Sequence, residues 1–346
     1  MRRFAVNILL LILIAMPVEA SAFTAPEAPA NIQKYMPDES DSFGEGLLFV
    51  ISQALEELRP SFVEAIKSCT SIIAISMLVG LLAGFSENVR PVIAMVGTVT
   101  IGIILFQPTG VFIQMGTQTV QQISEYGKML IPVMTAAMAA QGAVTKSSAI
   151  YTATVFFDTL LSAAVSEILI PMLYIFLCLS VICKVFSQPL ILQMQKFLKW
   201  LMTWSLKIIL YVFTGYISIT GVVGGTTDAT MLKATKLTIS GVVPVVGNVI
   251  SDASEAVLIS AGIMKNAIGI YGLIVIIAIW IGPFLQTGIR YLLLKLTSGI
   301  GEMFAVKPMA ELMKDFCSAM GLVLAMTGTQ CLIFLISIIC FMKGVA

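Results

Sequence analysis

Long apolar runs, separated by short polar stretches, set the pattern of this chain. Residues 69–85, 91–106, 150–165, 168–183, 201–219, 267–283, 284–294 and 319–341 are each predominantly apolar. Such runs predict membrane-crossing helices, because roughly 20 apolar residues of helix cross the hydrocarbon core. Two stretches alternate at helical spacing instead. In 43–67, Phe43, Leu47, Ile51, Leu55, Leu58, Phe62 and Ile66 share one side, with Glu45, Gln53, Glu56, Glu57, Arg59 and Glu64 elsewhere on the wheel. This predicts a helix resting on the membrane surface, or a docking face for a partner domain outside it. In 188–199, Leu190, Ile191, Met194, Phe197 and Leu198 oppose Gln193, Gln195, Lys196 and Lys199, which predicts a basic amphipathic helix at the cytoplasmic surface. A second surface helix is expected over 296–316, kinked at Pro308. The polar stretch 107–126 is expected outside the membrane, and Glu167 at a turn.

Two apolar segments are interrupted. Residues 128–144 carry Pro132 and Gly142; residues 239–262 carry Gly241, Pro244 and Gly247, then Asp252 and Glu255 on one helix face. Lipid cannot satisfy freed backbone groups or carboxylates, so such segments face protein or a water-filled path. Shifting the chain by about 112 residues places 91–106 on 203–218, Pro132 on Pro244 and 150–165 on 262–277. Two repeat halves, 91–183 and 203–294, would put the interrupted segments at corresponding places, where a path or binding site forms. Identity between the halves is low, and chance superposition of one apolar sequence on itself stays open. The expected fold is an all-α polytopic membrane protein of about 7–10 spans, the higher number if both interrupted segments cross and the lower if they re-enter. If both cross, Lys146, Lys196, Lys199, Lys265, Lys307 and Lys314 fall inside, and Lys128 and Lys343 outside, a bias that favours crossing.

Residues 1–22 read as a signal peptide: Arg2 and Arg3, a short apolar core, Pro17, then Ala20 and Ala22 as a cleavage site. Residues 23–42, rich in Pro, Glu, Asp and Ser, read as a flexible extracytoplasmic segment with few apolar anchors. Residues 68–346 are the membrane domain.

Composition narrows the chemistry. The chain is 58% hydrophobic and 11% charged, where soluble domains carry roughly 25% charged residues. A net charge of +1 makes no case for nucleic acid. Histidine is absent, which excludes His triads, His metal sites and His switches. The six cysteines form no CxxC pair and lie in or beside apolar runs, as small apolar fillers do. The glycine-rich 221–230 has no lysine following a phosphate cradle. No enzyme activity, cofactor or metal is expected, and any ATP hydrolysis belongs to a partner. Asp158, Asp252 and Glu255 are candidates to line a polar path. For Asp158 the alternatives are an interhelical pair with a lysine or a shallow interfacial position. Ala136, Ala139, Ala140 and Ala143 make a smooth face suited to tight internal packing or to the seam of a homo-oligomer.

The layout as a whole, with MLIPVMTAA at 129–137 and LTISGVVPVVGNVISDASEAVL at 237–258, resembles the stage III sporulation protein AE family. The resemblance implies a subunit of a secretion-like feeding channel in the mother-cell membrane that surrounds the forespore. It implies sister stage III sporulation subunits as partners, among them ring-forming proteins and a cytoplasmic secretion-type ATPase. The forespore's stage II sporulation protein Q is implied as an indirect partner. No site residue transfers one by one. Lys196, Lys199, Lys307 and Lys314 are a candidate cytoplasmic face for the ATPase, and 43–67 a candidate contact for ring subunits. Two other functions stay open: a stand-alone secondary transporter of a small solute, and a scaffold for ring subunits with no conduit of its own.

Overall fold

The computed structural model describes residues 24–36, 43–85, 88–186, 188–242, 247–304 and 307–343, with side chains for all of these except 220–261 and Phe304. Every regular element among them is helical. A 3₁₀ turn at Gln33–Tyr35 precedes α1 (Phe43–Gly84), α2 (Arg90–Ala140) and α3 (Val144–Ala163). A π-helical turn, Ala164–Leu169, joins α3 to α4 (Ile170–Phe186); α5 (Pro189–Val242), α6 (Gly247–Phe304) and α7 (Lys307–Met342) follow. Among the described residues, six stretches are long and apolar enough to cross a membrane: Phe43–Gly84, Arg90–Ala140, Val144–Phe186, Pro189–Ile219, Gly262–Met303 and Lys307–Met342.

The rods are longer than the apolar runs. α2 has 51 residues, about 75 Å of helix, and joins what the pattern divides into a span, an outside polar stretch and an interrupted segment. The reason lies in 107–126. Thr109, Ile113, Gly116, Thr119, Val120, Ile123 and Ser124 are buried at helical spacing, so this stretch has an inward face like any core helix. Hydroxyls there bond carbonyls one turn back, Thr117 to Ile113 at 2.9 Å and Thr119 to Met115 at 2.8 Å, so their polarity is met within the helix. Pro108 and Pro132 lie inside α2 and end nothing; packed neighbours let membrane helices absorb a proline. The expected break at Pro132 is therefore corrected.

Other boundaries move for similar reasons. Stretches 43–67 and 69–85 are one helix through Pro60, with Val50, Ala54, Leu58, Ala65, Cys69 and Ile72 buried along it. Stretches 150–165 and 168–183 are one rod, so Glu167 lies in the π-helical turn and not in a loop. Stretches 188–199 and 201–219 are both α5, begun by Pro189. α6 runs through Gly282 and Pro283 to Phe304. The surface helix expected over 296–316 is thus divided between α6 and α7, with Pro308 in the first turn of α7, where its missing N–H is not needed.

Gly142 is where the chain turns. Its φ is 87°, its N–H donates to the Ala139 carbonyl at 2.8 Å, and the Ala143 N–H donates to the Met138 carbonyl at 3.4 Å. That pair of bonds is a Schellman cap, which favours glycine at the left-handed position. α2 with α3–α4 forms one hairpin; α5 ends at Val242 and α6 begins at Gly247.

Consecutive rods alternate in direction around α7. Gly97 approaches Val79 and Met309, Gly102 approaches Val181 and Leu312, Gly116 approaches Val323, and Gly127 lies under the Phe334 ring. Small residues permit such close approach between membrane helices. One end of the bundle holds Arg90, the end of α4, and the starts of α5 and α7; the other holds Gln141 beside Gly262, and Met342 beside Gly269. Lys146 and Lys265 sit at the second end with Lys343, away from Lys199 and Lys314, contrary to the grouping expected from sequence.

Residues 24–36 are anchored. Ala28 and Ile32 are buried, the Tyr126 hydroxyl reaches the Pro26 carbonyl at 3.5 Å, and Lys34 and Tyr35 both bond the Glu57 carboxylate. Expected to be flexible with few apolar anchors, these residues are docked through two, Ala28 and Ile32. Residues 1–23, including the expected signal peptide, lie outside the described residues.

Candidate functional site

A buried carboxylate ties three rods together. Asp158 on α3 is 2% exposed. Ser124 of α2 donates to Oδ2 at 2.9 Å, and Gln330 Nε2 of α7 donates to Oδ1 at 2.6 Å. Ser162, one turn along α3, donates to Oδ1 at 3.5 Å. Lys128, one turn beyond Ser124, is within Coulombic reach. Thr154, one turn back, lies 2.7 Å from Ser337, a second polar link between α3 and α7. An unpartnered buried carboxylate costs several kcal/mol, and hydrogen bonds to a charged group return about 1.5–3 kcal/mol each. Asp158 is held between helices by hydroxyl and amide donors in place of the lysine pair considered from sequence. Ser124 and Gln330 were not legible as its partners. The available signal was that Gln330 is the lone amide side chain in the apolar run 319–341. Its Oε1 is buried without a partner.

The lysine-rich end carries the second cluster. Lys184 reaches Glu311 at 2.9 Å and Asp315 at 3.7 Å. Lys314 pairs with Glu302, and Lys199 donates to Ser318 Oγ at 2.8 Å. Lys199, Lys295 and Lys314 line a cleft of about 570 Å³ between α5, α6 and α7. Lys307 lines a separate cleft of about 360 Å³ with Lys184 and Glu311, and Lys196 is exposed on α5. The four lysines expected to form one face share an end of the bundle but not one site.

Arg290, within the apolar run 284–294, is 4% exposed. It donates to Ser68 Oγ at 2.9 Å in a cleft of about 340 Å³ that Glu64, Gln107 and Gln286 also line. Outside the spans, the Glu57 carboxylate holds the Lys34 ammonium above its usual range. The remaining candidates scatter. Pro132 is exposed within α2, and Gly142 caps it. Gly241 lies in the last turn of α5 and Gly247 begins α6, while Pro244 lies outside the described residues. Asp252 and Glu255 lie on the α6 backbone with their side chains outside the described residues. Ala136 and Ala140 face outward and Ala143 is buried, so the alanine face is not one internal seam. Among the described residues no group of three or more Asp, Glu or Cys is placed to hold a metal ion.

The rods, the enclosed carboxylate and the apolar exterior define an all-helical polytopic membrane protein. The profile of stage III sporulation protein AE matches residues 34–344, and the chain belongs to that family. Stage III sporulation protein AE of Bacillus subtilis (strain 168) is 22% identical over 228 residues, which cover 66% of this chain and 57% of that protein. The match therefore spans little more than half of that relative's length. No solved structure matches.

Proposed function

We propose that this chain is a non-catalytic integral-membrane subunit of a secretion-like channel assembly that joins mother cell and forespore during sporulation. It sits in the mother-cell membrane around the forespore. The family match along nearly the whole chain carries the reading. The charge distribution supports an orientation. Arg90, Lys184, Lys196, Lys199, Lys295, Lys307 and Lys314 collect at one end, and lysine and arginine mark the cytoplasmic side of membrane proteins. That end faces the mother-cell cytoplasm and offers exposed Lys196 and Lys307 to a secretion-type ATPase. The opposite end, with residues 24–36 docked beside α1, faces the ring-forming sister subunits.

A second reading is a membrane scaffold that anchors the ring subunits without its own conduit. The packed interior favours it: protein donors occupy the Asp158 carboxylate, and Phe334 closes over Gly127. A cysteine-accessibility scan over 239–262 with a membrane-impermeant maleimide separates the two. A reactive stripe at helical spacing supports a conduit, and uniform protection supports the scaffold. Failure of the purified chain to associate with any sister subunit removes both.

A further inference from the structure

The cleft between α5, α6 and α7 combines two chemistries along its length. At its polar end are the ammonium groups of Lys199, Lys295 and Lys314 with the Ser318 hydroxyl. Lys199 spends its contact on neutral Ser318, and the Lys295 ammonium lies 5.7 Å from the Tyr291 ring centroid. Lys314 pairs with exposed Glu302. Among the described residues, then, neither Lys199 nor Lys295 has a carboxylate within ion-pair distance. The other wall is apolar: Gly321, Leu322 and Ala325 continue α7 beyond Ser318, so the cleft passes from cationic to apolar over roughly 16 Å of helix between Lys314 and Ala325.

A separate observation marks its depth. Phe197, Trp200 and Trp204 stack on the outside of α5 at centroid distances of 5.9 and 5.5 Å, and all three are exposed. They occupy the same two turns as Lys199 and Thr203, which line the cleft. Exposed tryptophans concentrate where hydrocarbon meets headgroups, so the cationic end lies at headgroup level and the apolar end points into the acyl region. We infer that this cleft binds an anionic phospholipid, its phosphate between Lys199, Lys295 and Lys314 and one acyl chain along Gly321, Leu322 and Ala325. Basic pockets between membrane helices recognise lipid phosphates in this way. The site does not depend on the sporulation reading, and it removes Lys199 and Lys314 from the surface left for a protein partner.

The test uses the purified full-length chain in neutral detergent, with thermal unfolding as readout. Phosphatidylglycerol, phosphatidylcholine, inorganic phosphate and a polyglutamate peptide are added separately. Phosphatidylglycerol is expected to raise Tm by about 4 °C, as a ligand that binds only the folded state does, and the other three to leave it within about 1 °C. The K199Q/K295Q/K314Q variant loses that rise, as does Ala325→Leu, which narrows the apolar end with the lysines intact. Lys196→Gln, outside the cleft, keeps it. If the triple variant is not monodisperse, Lys295→Gln and Ala325→Leu carry the test. An undiminished rise in the cleft variants overturns the site. An equal rise with phosphatidylcholine, phosphate or the peptide overturns the anionic lipid as its ligand, phosphate pointing to a soluble phosphate compound and the peptide to a protein partner. Loss of the lipid effect with sister-subunit association intact leaves the functional proposal standing.

Discussion

Asp158 shows how a single acidic residue in an apolar run is accommodated. Burial makes its charge costly, and donors on α2, α3 and α7 offset that cost. Asp158→Ala strands the Ser124 hydroxyl and the Gln330 amide, so it should lower unfolding stability by about 2–4 kcal/mol. Chemical unfolding in detergent measures this, and a loss under about 0.5 kcal/mol would mean the clamp is not formed. Gly127 makes the complementary point in steric terms. A Cβ there would stand 1.9 Å from Phe334 Cε1, and Phe334 is 1% exposed. Gly127→Ala should therefore cost about 1–3 kcal/mol through overpacking, with partial rescue by Phe334→Leu; an unchanged Tm would contradict the close crossing of α2 and α7. The sequence marked Asp158 by its chemistry. It did not mark Gly127, because a glycine in an apolar run carries no sign of the ring that will lie over it.

At the level of whole helices, the decisive positions are those where a helix was expected to stop. Pro132 lies within a rod, while Gly142, ten residues on, ends it in the left-handed conformation. Gly142→Val should destabilise by about 1–2 kcal/mol, the ordinary strain of an L-residue there, whereas Pro132→Ala should be neutral or stabilising; equal losses at both would argue that α2 breaks at Pro132. Hydrogen exchange offers a second check. Amides of 109–124 should exchange slowly, as buried helix does; exchange on the timescale of an open loop would restore the outside polar stretch. The docking of residues 24–36 belongs to this scale too. Lys34 keeps its charge to above the usual lysine range, so its contact with Glu57 holds at neutral pH and is lost as pH rises through that elevated value. Glu57→Gln should expose 24–36 to limited proteolysis at pH 7, and unchanged resistance would place the anchoring on Ala28, Ile32 and the Tyr126 contact with Pro26. Periodicity predicted most of these helices but not their continuity. A polar stretch reads as a loop when its hydroxyls call for water, and in α2 Thr117 and Thr119 bond the preceding turn while Ser124 bonds Asp158.

Over the whole molecule, alternating rods set which charges share a side. Lys196 and Lys343 lie at opposite ends of the bundle, and Lys146 lies with Lys343. Cysteines placed at 196 and 343 should label from opposite faces of sealed vesicles, and a cysteine at 146 from the same face as 343; labelling of 146 with 196 would restore a crossing between them. The all-helical membrane class and the family were legible in the residues themselves. Hydrophobicity and charge content act position by position, and the two quoted segments carry the family likeness without reference to any contact. Contacts made by residues distant in sequence were not legible there. They decided that 107–126 is core, that Arg290 is enclosed beside Ser68, that Asp158 is answered by Ser124 and Gln330, and that Lys199, Lys295 and Lys314 converge on one cleft. An apolar run records only its preference for leaving water; which neighbour it meets depends on the direction and stagger of rods that pack against one another only once the chain is folded.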